Sequence, residues 1–357
     1  ALDWSAAGGF GQAVEMCNNN GACRKLSGGA MCPSYRVTKD ETHVTRGRAN
    51  ALRLAISGQL GPDAFTSPAM KEAMGLCVGC KACQRECPTG VDMAKMKVEF
   101  LSHYHARHGL PLKERLVAHL PRYAGWAAKL APLLNLRDRL PGLAAFSEKL
   151  LGFSARRSLP MWQESWQESG AVASPADVMG DGLDVILWGD TFNRAFEREN
   201  LEAATRVLKA AGYRLHRVPP QDGKRALCCG RTYLACGQVA DARKEATRTA
   251  QALLPFIARG AKVVGLEPSC LLTLRDEFTV LLPAAQAGPI KAAALLIEEL
   301  LAADLAAGKV TLPLRDQAGR KAHLHGHCHQ KAADAMGAVE ACLKAVPGLS
   351  VTLIESS

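Results

Sequence analysis

The chain has 357 residues, which is enough for two domains with separate hydrophobic cores. Its formal net charge is +10, but the basic residues are scattered and only 5% of the residues are aromatic. A nucleic-acid groove would concentrate both residue types, so we expect no nucleic-acid partner. The charge instead favours an acidic partner or an anionic membrane face.

Thirteen cysteines in a chain of this length do not indicate the disulfide scaffold of a small secreted domain. The sequence has no apolar leader and no run of about 18 apolar residues, so we expect a reducing, cytoplasmic setting without a transmembrane helix. It begins Ala-Leu-Asp-Trp rather than with Met, and we therefore expect it to be part of a longer polypeptide.

Four cysteines fall within one short stretch, at Cys77, Cys80, Cys83 and Cys87. With Pro88 they form the C-x2-C-x2-C-x3-C-P pattern of a bacterial-type iron–sulfur ferredoxin site. The short gaps let one loop direct three thiolates at one cubane, and the fourth cysteine usually ligates a different cluster. A zinc site is the alternative, but zinc sites normally use two well-separated cysteine pairs.

A second and less complete run lies upstream. Cys17, Asn20, Cys23 and Cys32-Pro33 align with the four cysteines and the proline of the later run. Two such runs predict a two-cluster ferredoxin-like domain, which we assign to residues 1–110.

The crossover of the fourth cysteines predicts two ligand sets. The complete [4Fe-4S] set is Cys77, Cys80, Cys83 and Cys32. The second set is Cys17, Cys23 and Cys87, and it lacks one thiolate because Asn20 is a poor iron ligand. It is predicted to hold a three-iron cluster, a four-iron cluster with a non-cysteine ligand, or no cluster.

Apolar spacing predicts two helices in this α-helical domain, Thr42–Ser57 and Val91–Arg107. Arg46, Arg48 and Arg53 of the first helix are expected near the cysteines. A cationic face there would raise a cluster's reduction potential and attract an anionic donor or a flavin phosphate. A solvated helix face is the alternative.

Residues 111–182 are predicted to form a helical connector and linker, because prolines separate short apolar, Arg-rich stretches. Amphipathic patterns cover Leu116–Leu120, Trp126–Leu136 and Leu143–Leu151, and the polar Gln163–Gly182 reads as a linker. Packing across a domain boundary explains these patterns most simply. An interfacial patch for a membrane surface or for quinone access is the alternative.

Strand and helix patterns alternate over residues 183–357 and predict an α/β domain with a parallel sheet. The expected strands are Asp184–Trp188, Tyr213–Val218, Ala261–Leu266, Lys321–Gly326 and Leu349–Ile354. The expected helices are Arg194–Ala211, Val239–Arg259 and Lys331–Val346. The spacing from Gly189 to Gly212 resembles that from Gly326 to Gly348, so an internal repeat is predicted.

Four cysteines of this domain are expected at strand ends, where α/β proteins place their sites: Cys228, Cys229, Cys270 and Cys328. The first two are adjacent and cannot easily bridge, so they suit two corners of a metal site or one redox thiol. Buried, small apolar side chains are the alternative. Cys236 and Cys342 fall in helical stretches and are predicted to be structural.

Two ferredoxin runs followed by Cys-Cys-Gly resemble the iron–sulfur subunits of glycolate oxidase and the cysteine-rich subunits of heterodisulfide reductase. More closely, the chain resembles the iron–sulfur half of FAD-linked D-2-hydroxyacid dehydrogenases of the D-2-hydroxyglutarate and D-lactate type. The stretches that carry the resemblance are Cys17-Asn-Asn-Asn-Gly-Ala-Cys-Arg, Met31-Cys-Pro-Ser-Tyr-Arg, Thr45-Arg-Gly-Arg-Ala-Asn, Glu267-Pro-Ser-Cys and His325-Gly-His-Cys-His-Gln-Lys.

The chain departs from the heterodisulfide reductase pattern, which has cysteines where this sequence has Thr191 (or Asp190) and Glu267. The second Cys-Cys-Gly of that pattern would lie beyond Ser357, so the second repeat is truncated. The cysteines of this domain and the residues near them could instead bind a single metal ion or carry out a redox reaction. The members of that candidate site are Cys228, Cys229, Glu267, Cys270, His327 and Cys328, with His325 and His329 nearby.

The resemblance implies an electron-transfer function. A flavin domain, on the same polypeptide or a partner chain, would bind FAD and oxidise a 2-hydroxyacid to a 2-oxoacid. Its electrons would pass through the [4Fe-4S] cluster to a quinone or another acceptor. No flavin-binding fingerprint is visible in this chain. The expected location is the cytoplasm, with peripheral contact with the inner membrane as an alternative.

Two other functions remain open. A thiol–disulfide reductase of the heterodisulfide type would use Cys228 and Cys229. A nucleic-acid-binding protein would use the cluster as a structural element, and the scattered basic residues count against it.

Overall fold

The fold is described from a computed structural model, for residues 1–167 and 172–354. Contacts divide the chain into two compact units. Unit 1 comprises residues 1–109 together with the residues from Leu314 onward, and unit 2 comprises Leu110–Pro313. The α/β domain predicted for residues 183–357 therefore spans parts of both units.

Residues 1–109 form six α-helices: α1 (Phe10–Glu15), α2 (Pro33–Thr38), α3 (Thr45–Ile56), α4 (Pro68–Gly75), α5 (Ala82–Glu86) and α6 (Met93–His108). The two predicted helices correspond to α3 and α6. Helix α6 begins after Asp92, whose carboxylate accepts a hydrogen bond from the backbone N–H of Lys95. Leu52, Met74 and Phe100 are fully buried between these helices.

Residues 110–313 begin with four short helices: α7 (Leu112–Ala118), α8 (Leu120–Lys129), α9 (Ala131–Leu134) and α10 (Leu143–Leu151). Strands and helices then alternate: β1 (Asp184–Trp188), α11 (Thr191–Phe196), α12 (Arg198–Ala210), β2 (Arg214–Leu215), α13 (Arg231–Ala235), α14 (Val239–Ile257), β3 (Lys262–Gly265), α15 (Pro268–Arg275), α16 (Phe278–Leu281), α17 (Ala284–Ala293), β4 (Ala294–Leu296) and α18 (Ile297–Ala306).

The sheet of unit 2 is parallel and has the order β2-β1-β3-β4. Strand β1 is buried throughout, as expected for a central strand covered on both faces. The chain leaves β1 for β2 on one side and then crosses to β3 on the other side. The carboxyl ends of β1 and β3 therefore flank a topological switch point, the usual position of a site in such sheets.

The predicted combination of helices with a parallel sheet is confirmed, whereas several element boundaries are wrong. The predicted helix Arg194–Ala211 is two helices, because the backbone at Glu197 turns to φ −141° and ψ 49°. Asp190 begins the first of them by accepting hydrogen bonds from the N–H groups of Phe192 and Asn193. Strand β4 was not predicted at all.

The residues from Leu314 onward form β5 (Lys321–Leu324), α19 (Cys328–Ala332), α20 (Met336–Lys344) and β6 (Ser350–Leu353). Strands β5 and β6 pair in parallel as a separate two-stranded sheet. The predicted helix Lys331–Val346 is interrupted by Asp334, which has a left-handed backbone with φ 60°. The internal repeat stays a prediction, and its expected end at residues 355–357 lies outside the described residues.

Among the described residues, no helix combines the length and the apolar content needed to cross a lipid bilayer.

Candidate functional site

One cavity of unit 1 is lined by four of the predicted ligands, Cys32, Cys77, Cys80 and Cys83. None of these four forms a disulfide. Two loops that are 45 residues or more apart in sequence thus direct their thiols at the same space.

The loop after α4 supplies three of these cysteines. It reverses direction through Gly79 and Lys81, whose φ angles of 64° and 63° are left-handed. Helix α5 then begins and places Cys83 in its first turn. The ammonium of Lys97 donates to the carbonyl oxygen of Cys77 at 2.5 Å, which fixes the start of the loop.

Cys32 is held by the first residue of α3. The backbone N–H of Thr45 donates to its Sγ at 3.2 Å, and the Thr45 hydroxyl lies 3.1 Å from the same sulfur. Glu86 ties this loop to the other one, because its carboxylate accepts from the N–H groups of Ala30 at 2.6 Å and Met31 at 3.3 Å. The two cysteine runs are therefore joined next to the cavity.

Arg48 places a fixed positive charge in the wall of the cavity. Its side chain is 1% exposed and donates to the carbonyl oxygen of Ala73 at 2.8 Å. Burial raises the pKa of Cys32, while hydrogen bonds from Thr45 and the charge of Arg48 act in the opposite direction. Arg48 was singled out from the sequence only as part of a basic helix face; Arg53 of that face is exposed.

Burial also raises the pKa of Cys80 to about 11 and that of Cys83 well above its usual value. These thiols are protonated at neutral pH in the absence of metal, so metal binding there must release protons.

The donor set fits a [4Fe-4S] cluster. Four thiols surround one cavity, and several sulfurs already accept hydrogen bonds from N–H groups that tune cluster potentials in such sites. The donors are the backbone N–H groups of Thr45 to Cys32, Ala82 to Cys80 and Met93 to Cys83. Within the described ranges, no group of three or more His, Cys, Asp or Glu side chains is arranged to hold a single metal ion.

The second predicted set does not line this cavity. Cys23 is buried, which raises its pKa to about 11, and it interacts electrostatically with Cys17 and Cys32. Burial acts to raise the pKa of Cys87, but hydrogen bonds from the hydroxyl and backbone of Thr89 contribute to a net lowering. Asn20 bonds within its own loop, where its Oδ1 accepts from the N–H of Ala22 at 2.9 Å.

Residues 13–91 match a family model described as a 4Fe-4S dicluster domain. The match covers both cysteine runs. D-2-hydroxyglutarate dehydrogenase of Escherichia coli (strain K12) is 25% identical over an alignment of 358 positions that covers 87% of this chain and 34% of the relative. The enzyme of the same name from Pantoea ananatis (strain AJ13355) is 25% identical over an alignment of 308 positions that covers 73% of this chain and 29% of the relative.

A probable glycolate oxidase iron–sulfur subunit of Bacillus subtilis (strain 168) is 32% identical over 82 residues, which are 22% of this chain and 18% of that protein. The predicted resemblance is thus confirmed. The chain spans about a third of the length of the D-2-hydroxyglutarate dehydrogenases that it matches. No solved structure gives a significant match.

His327 and Cys328 lie in unit 1, which also contains the matched residues 13–91. Cys328 is exposed and interacts electrostatically with Cys80. Its neighbour His329 contacts Gly79 in the loop between Cys77 and Cys80.

The remaining members of the predicted six-residue site lie in unit 2. Cys228, Cys229 and Cys270 are hydrogen-bonded in a chain, and Thr191 Oγ1 lies 3.9 Å from Cys228 Sγ. Glu267 follows β3 and starts α15 by accepting from Ser269. The six residues are therefore divided between the two units.

Cys228, Cys229 and Cys270 are buried thiols with raised pKa values. Hydrogen bonding with Cys229 and burial raise the pKa of Cys228 well above its usual value. All three cysteines are buried, and the carboxyl of Asp190 nearby also has a pKa raised by burial. A high thiol pKa in a buried site is typical of an inert, structural cysteine.

Thr45 and Glu86 were not predicted as residues of this site, and His329 was predicted only beside the candidate site of Cys228, Cys229 and Cys270. Glu86 and His329 bond to backbone groups of distant loops, and no spacing rule identifies a side chain that bonds to a distant peptide group. The Cys-Pro pattern predicted one ligand set, and its four members line one cavity.

Proposed function

We propose that this chain is the iron–sulfur electron-transfer part of a FAD-dependent D-2-hydroxyacid dehydrogenase. The observation that carries the proposal is the single cavity with Cys32, Cys77, Cys80 and Cys83 in its walls. A [4Fe-4S] cluster held there would supply one-electron redox chemistry.

The chain's own residues would set the properties of that site. The four cysteines bind as thiolates after losing their protons. Arg48 and the N–H group of Thr45 would stabilise the extra negative charge of the reduced cluster, and this would raise the reduction potential of the cluster. The surrounding core, including Met31 and Met93, limits access of water.

The proposed electron donor is inferred from the relatives, which include two proteins named D-2-hydroxyglutarate dehydrogenase. We propose that FAD and the hydroxyacid, such as D-2-hydroxyglutarate or D-lactate, bind to a flavin domain of the same polypeptide or of a partner chain. This chain then receives the electrons.

A second cluster at Cys17, Cys23 and Cys87 is part of the proposal. The dicluster family model spans all three cysteines, and Cys17 lies close enough to affect the pKa of Cys23. With only three thiols, this cluster would have three irons or a non-cysteine ligand.

We propose a quinone or another acceptor near a membrane surface as the destination of the electrons. Helices α8, α9 and α10 support the membrane contact, because each exposes large apolar side chains: Trp126, Leu133, Leu134, Leu143, Phe146 and Leu150. Residues 110–160 also contain nine Lys or Arg and only three Asp or Glu. Exposed apolar groups beside basic ones are typical of helices that lie in an anionic membrane interface.

The alternatives have less support. A thiol–disulfide reductase needs an accessible thiolate, whereas Cys228 and Cys229 are buried with raised pKa values. The scattered basic residues and the aromatic content of 5% do not favour a nucleic-acid-binding function.

Anaerobic purification with iron and sulfide analysis and EPR tests the proposal. We expect about four irons per chain for one cluster, and about seven or about eight for two, depending on whether the second cluster has three or four irons. Cys32→Ser should remove the signal of one cluster, and Cys236→Ser, a buried cysteine of unit 2, should not. Zinc in place of iron, or an unchanged spectrum in Cys32→Ser, would contradict the proposal.

A further inference from the structure

A histidine from the far end of the sequence bonds to the cluster loop. His329 is 5% exposed, and its Nε2 lies 2.9 Å from the carbonyl oxygen of Gly79. Because a carbonyl can only accept, Nε2 carries the hydrogen and donates it. Gly79 lies between Cys77 and Cys80, two walls of the cavity.

A second contact holds the same segment to the other side of the loop. The guanidinium of Arg85 donates to the carbonyl oxygen of Lys331 at 2.8 Å and pairs with the carboxylate of Asp334 at 2.6 Å. Arg85 lies on α5 between Cys83 and Cys87. Residues 329–334 thus bond to the chain both before and after Cys83.

The bond from His329 has an electronic as well as a mechanical effect. The carbonyl of Gly79 and the N–H of Cys80 belong to one peptide group. Donation to the carbonyl polarises that group and makes its N–H a stronger hydrogen-bond donor. It also fixes the backbone from which the Cys80 side chain projects.

We propose that His329 is a positioning residue of the cluster site. It holds the loop of Cys77 and Cys80 in the shape that binds the cluster, and it raises the reduction potential through the peptide of Gly79. This inference rests on the proposed function, because it assigns a role toward the cluster proposed there. Arg85 and Asp334 support the same arrangement from the other side.

The test compares three variants of the anaerobically purified protein. His329→Leu removes the donor, whereas His329→Gln retains an N–H donor at a similar reach. His108→Leu is the matched control, because His108 Nε2 also bonds a backbone carbonyl of this unit, that of Thr66, at 2.8 Å. The readouts are the EPR-monitored midpoint potential and the rate at which a chelator removes the visible absorbance of the cluster.

We expect His329→Leu to lower the midpoint potential and to speed cluster loss about tenfold, a factor equivalent to about 1.4 kcal/mol. His329→Gln should restore both values toward the wild type, and His108→Leu should change neither. The inference would be overturned if His329→Leu had the midpoint potential and the rate of cluster loss of the wild type. It would also be overturned if His108→Leu changed both values as much as His329→Leu does.

Arg85→Gln provides a second variant if His329→Leu does not fold. The Arg85 and Asp334 side chains are 46% and 78% exposed, so this change leaves the core intact. It should also speed cluster loss, and a wild-type rate would count against the inference. A wild-type protein without iron would instead refute the proposed function, so the two failures are distinguishable.

Discussion

At the scale of single residues, the candidate site depends on side chains that bond to backbone groups. Glu86 accepts from two consecutive N–H groups of the loop that carries Cys32, while its own helix carries Cys83. A carboxylate that bonds N–H groups is a strong acceptor, because one partner is charged. Removal of the Glu86 carboxylate would leave the N–H groups of Ala30 and Met31 without this acceptor.

We predict that Glu86→Ala lowers the free energy of unfolding by about 2 kcal/mol, within the range for leaving partly buried donors unsatisfied. It should also weaken iron incorporation during reconstitution, because Cys32 is no longer held beside the other cysteines. Chemical denaturation of the metal-free protein and iron analysis provide the two measurements. Glu72→Ala, at an exposed position on α4, is the control and should change neither.

The residues of the site could be predicted from the sequence to different extents. Cysteine spacing with a following proline predicted Cys32, Cys77, Cys80 and Cys83 as one ligand set, because the shape of a cubane imposes that spacing, and the four line one cavity. The position of His329 could not be predicted, since its partner Gly79 is 250 positions away and offers only a carbonyl.

At the scale of elements, α8, α9 and α10 expose several large apolar side chains. Helix α10 has no buried residue, and Leu143, Phe146 and Leu150 follow the i, i+3, i+7 spacing of one helix face. Lys149 on the same helix is exposed, as are Lys129 at the end of α8 and Arg139 between α9 and α10. An apolar stripe flanked by cations suits the boundary between lipid headgroups and acyl chains.

We predict that the protein sediments with vesicles containing anionic phospholipid and less with neutral ones. Phe146→Glu should reduce the bound fraction about tenfold at low lipid, because transfer of one Phe side chain contributes about 1.5–3 kcal/mol. Leu60→Glu changes an exposed apolar side chain of unit 1 and serves as the control.

Binding of the wild type that is equal for neutral and anionic vesicles would contradict the charge argument, and wild-type binding by Phe146→Glu would contradict the assigned face. Absence of vesicle binding combined with self-association or capture of a flavoprotein would assign these helices to a protein interface instead.

The amphipathic patterns of this region were recognisable from the sequence, but the helix boundaries were not. Trp126–Leu136 was expected as one pattern, whereas the structure ends α8 at Lys129 and begins α9 at Ala131, with Pro132 in the first turn of α9. Proline at that position starts a new helix, because it lacks the N–H that a continuing helix would use.

At the scale of the whole molecule, the two units contain chemically different cysteines. Cys32, Cys77, Cys80 and Cys83 of unit 1 line one cavity, whereas Cys228, Cys229 and Cys270 of unit 2 are buried and hydrogen-bonded to one another. Alternating strand and helix patterns were sufficient to predict the parallel sheet. They did not predict that the last segment groups with the first, because such a return depends on side-chain contacts between distant residues.

Electrons are expected to reach the cluster from a flavin and not directly from the hydroxyacid. None of the groups that line the cysteine cavity is a hydride acceptor, and a cubane exchanges single electrons. A 2-hydroxyacid is oxidised by two electrons, which requires a flavin or an equivalent two-electron cofactor. The chain alone, with its cluster intact, should therefore stay oxidised in D-2-hydroxyglutarate or D-lactate under anaerobic conditions. Dithionite or photoreduced flavin should bleach its visible absorbance. Bleaching by a hydroxyacid alone would place the substrate site within this chain and contradict the proposal that a separate flavin domain oxidises the hydroxyacid.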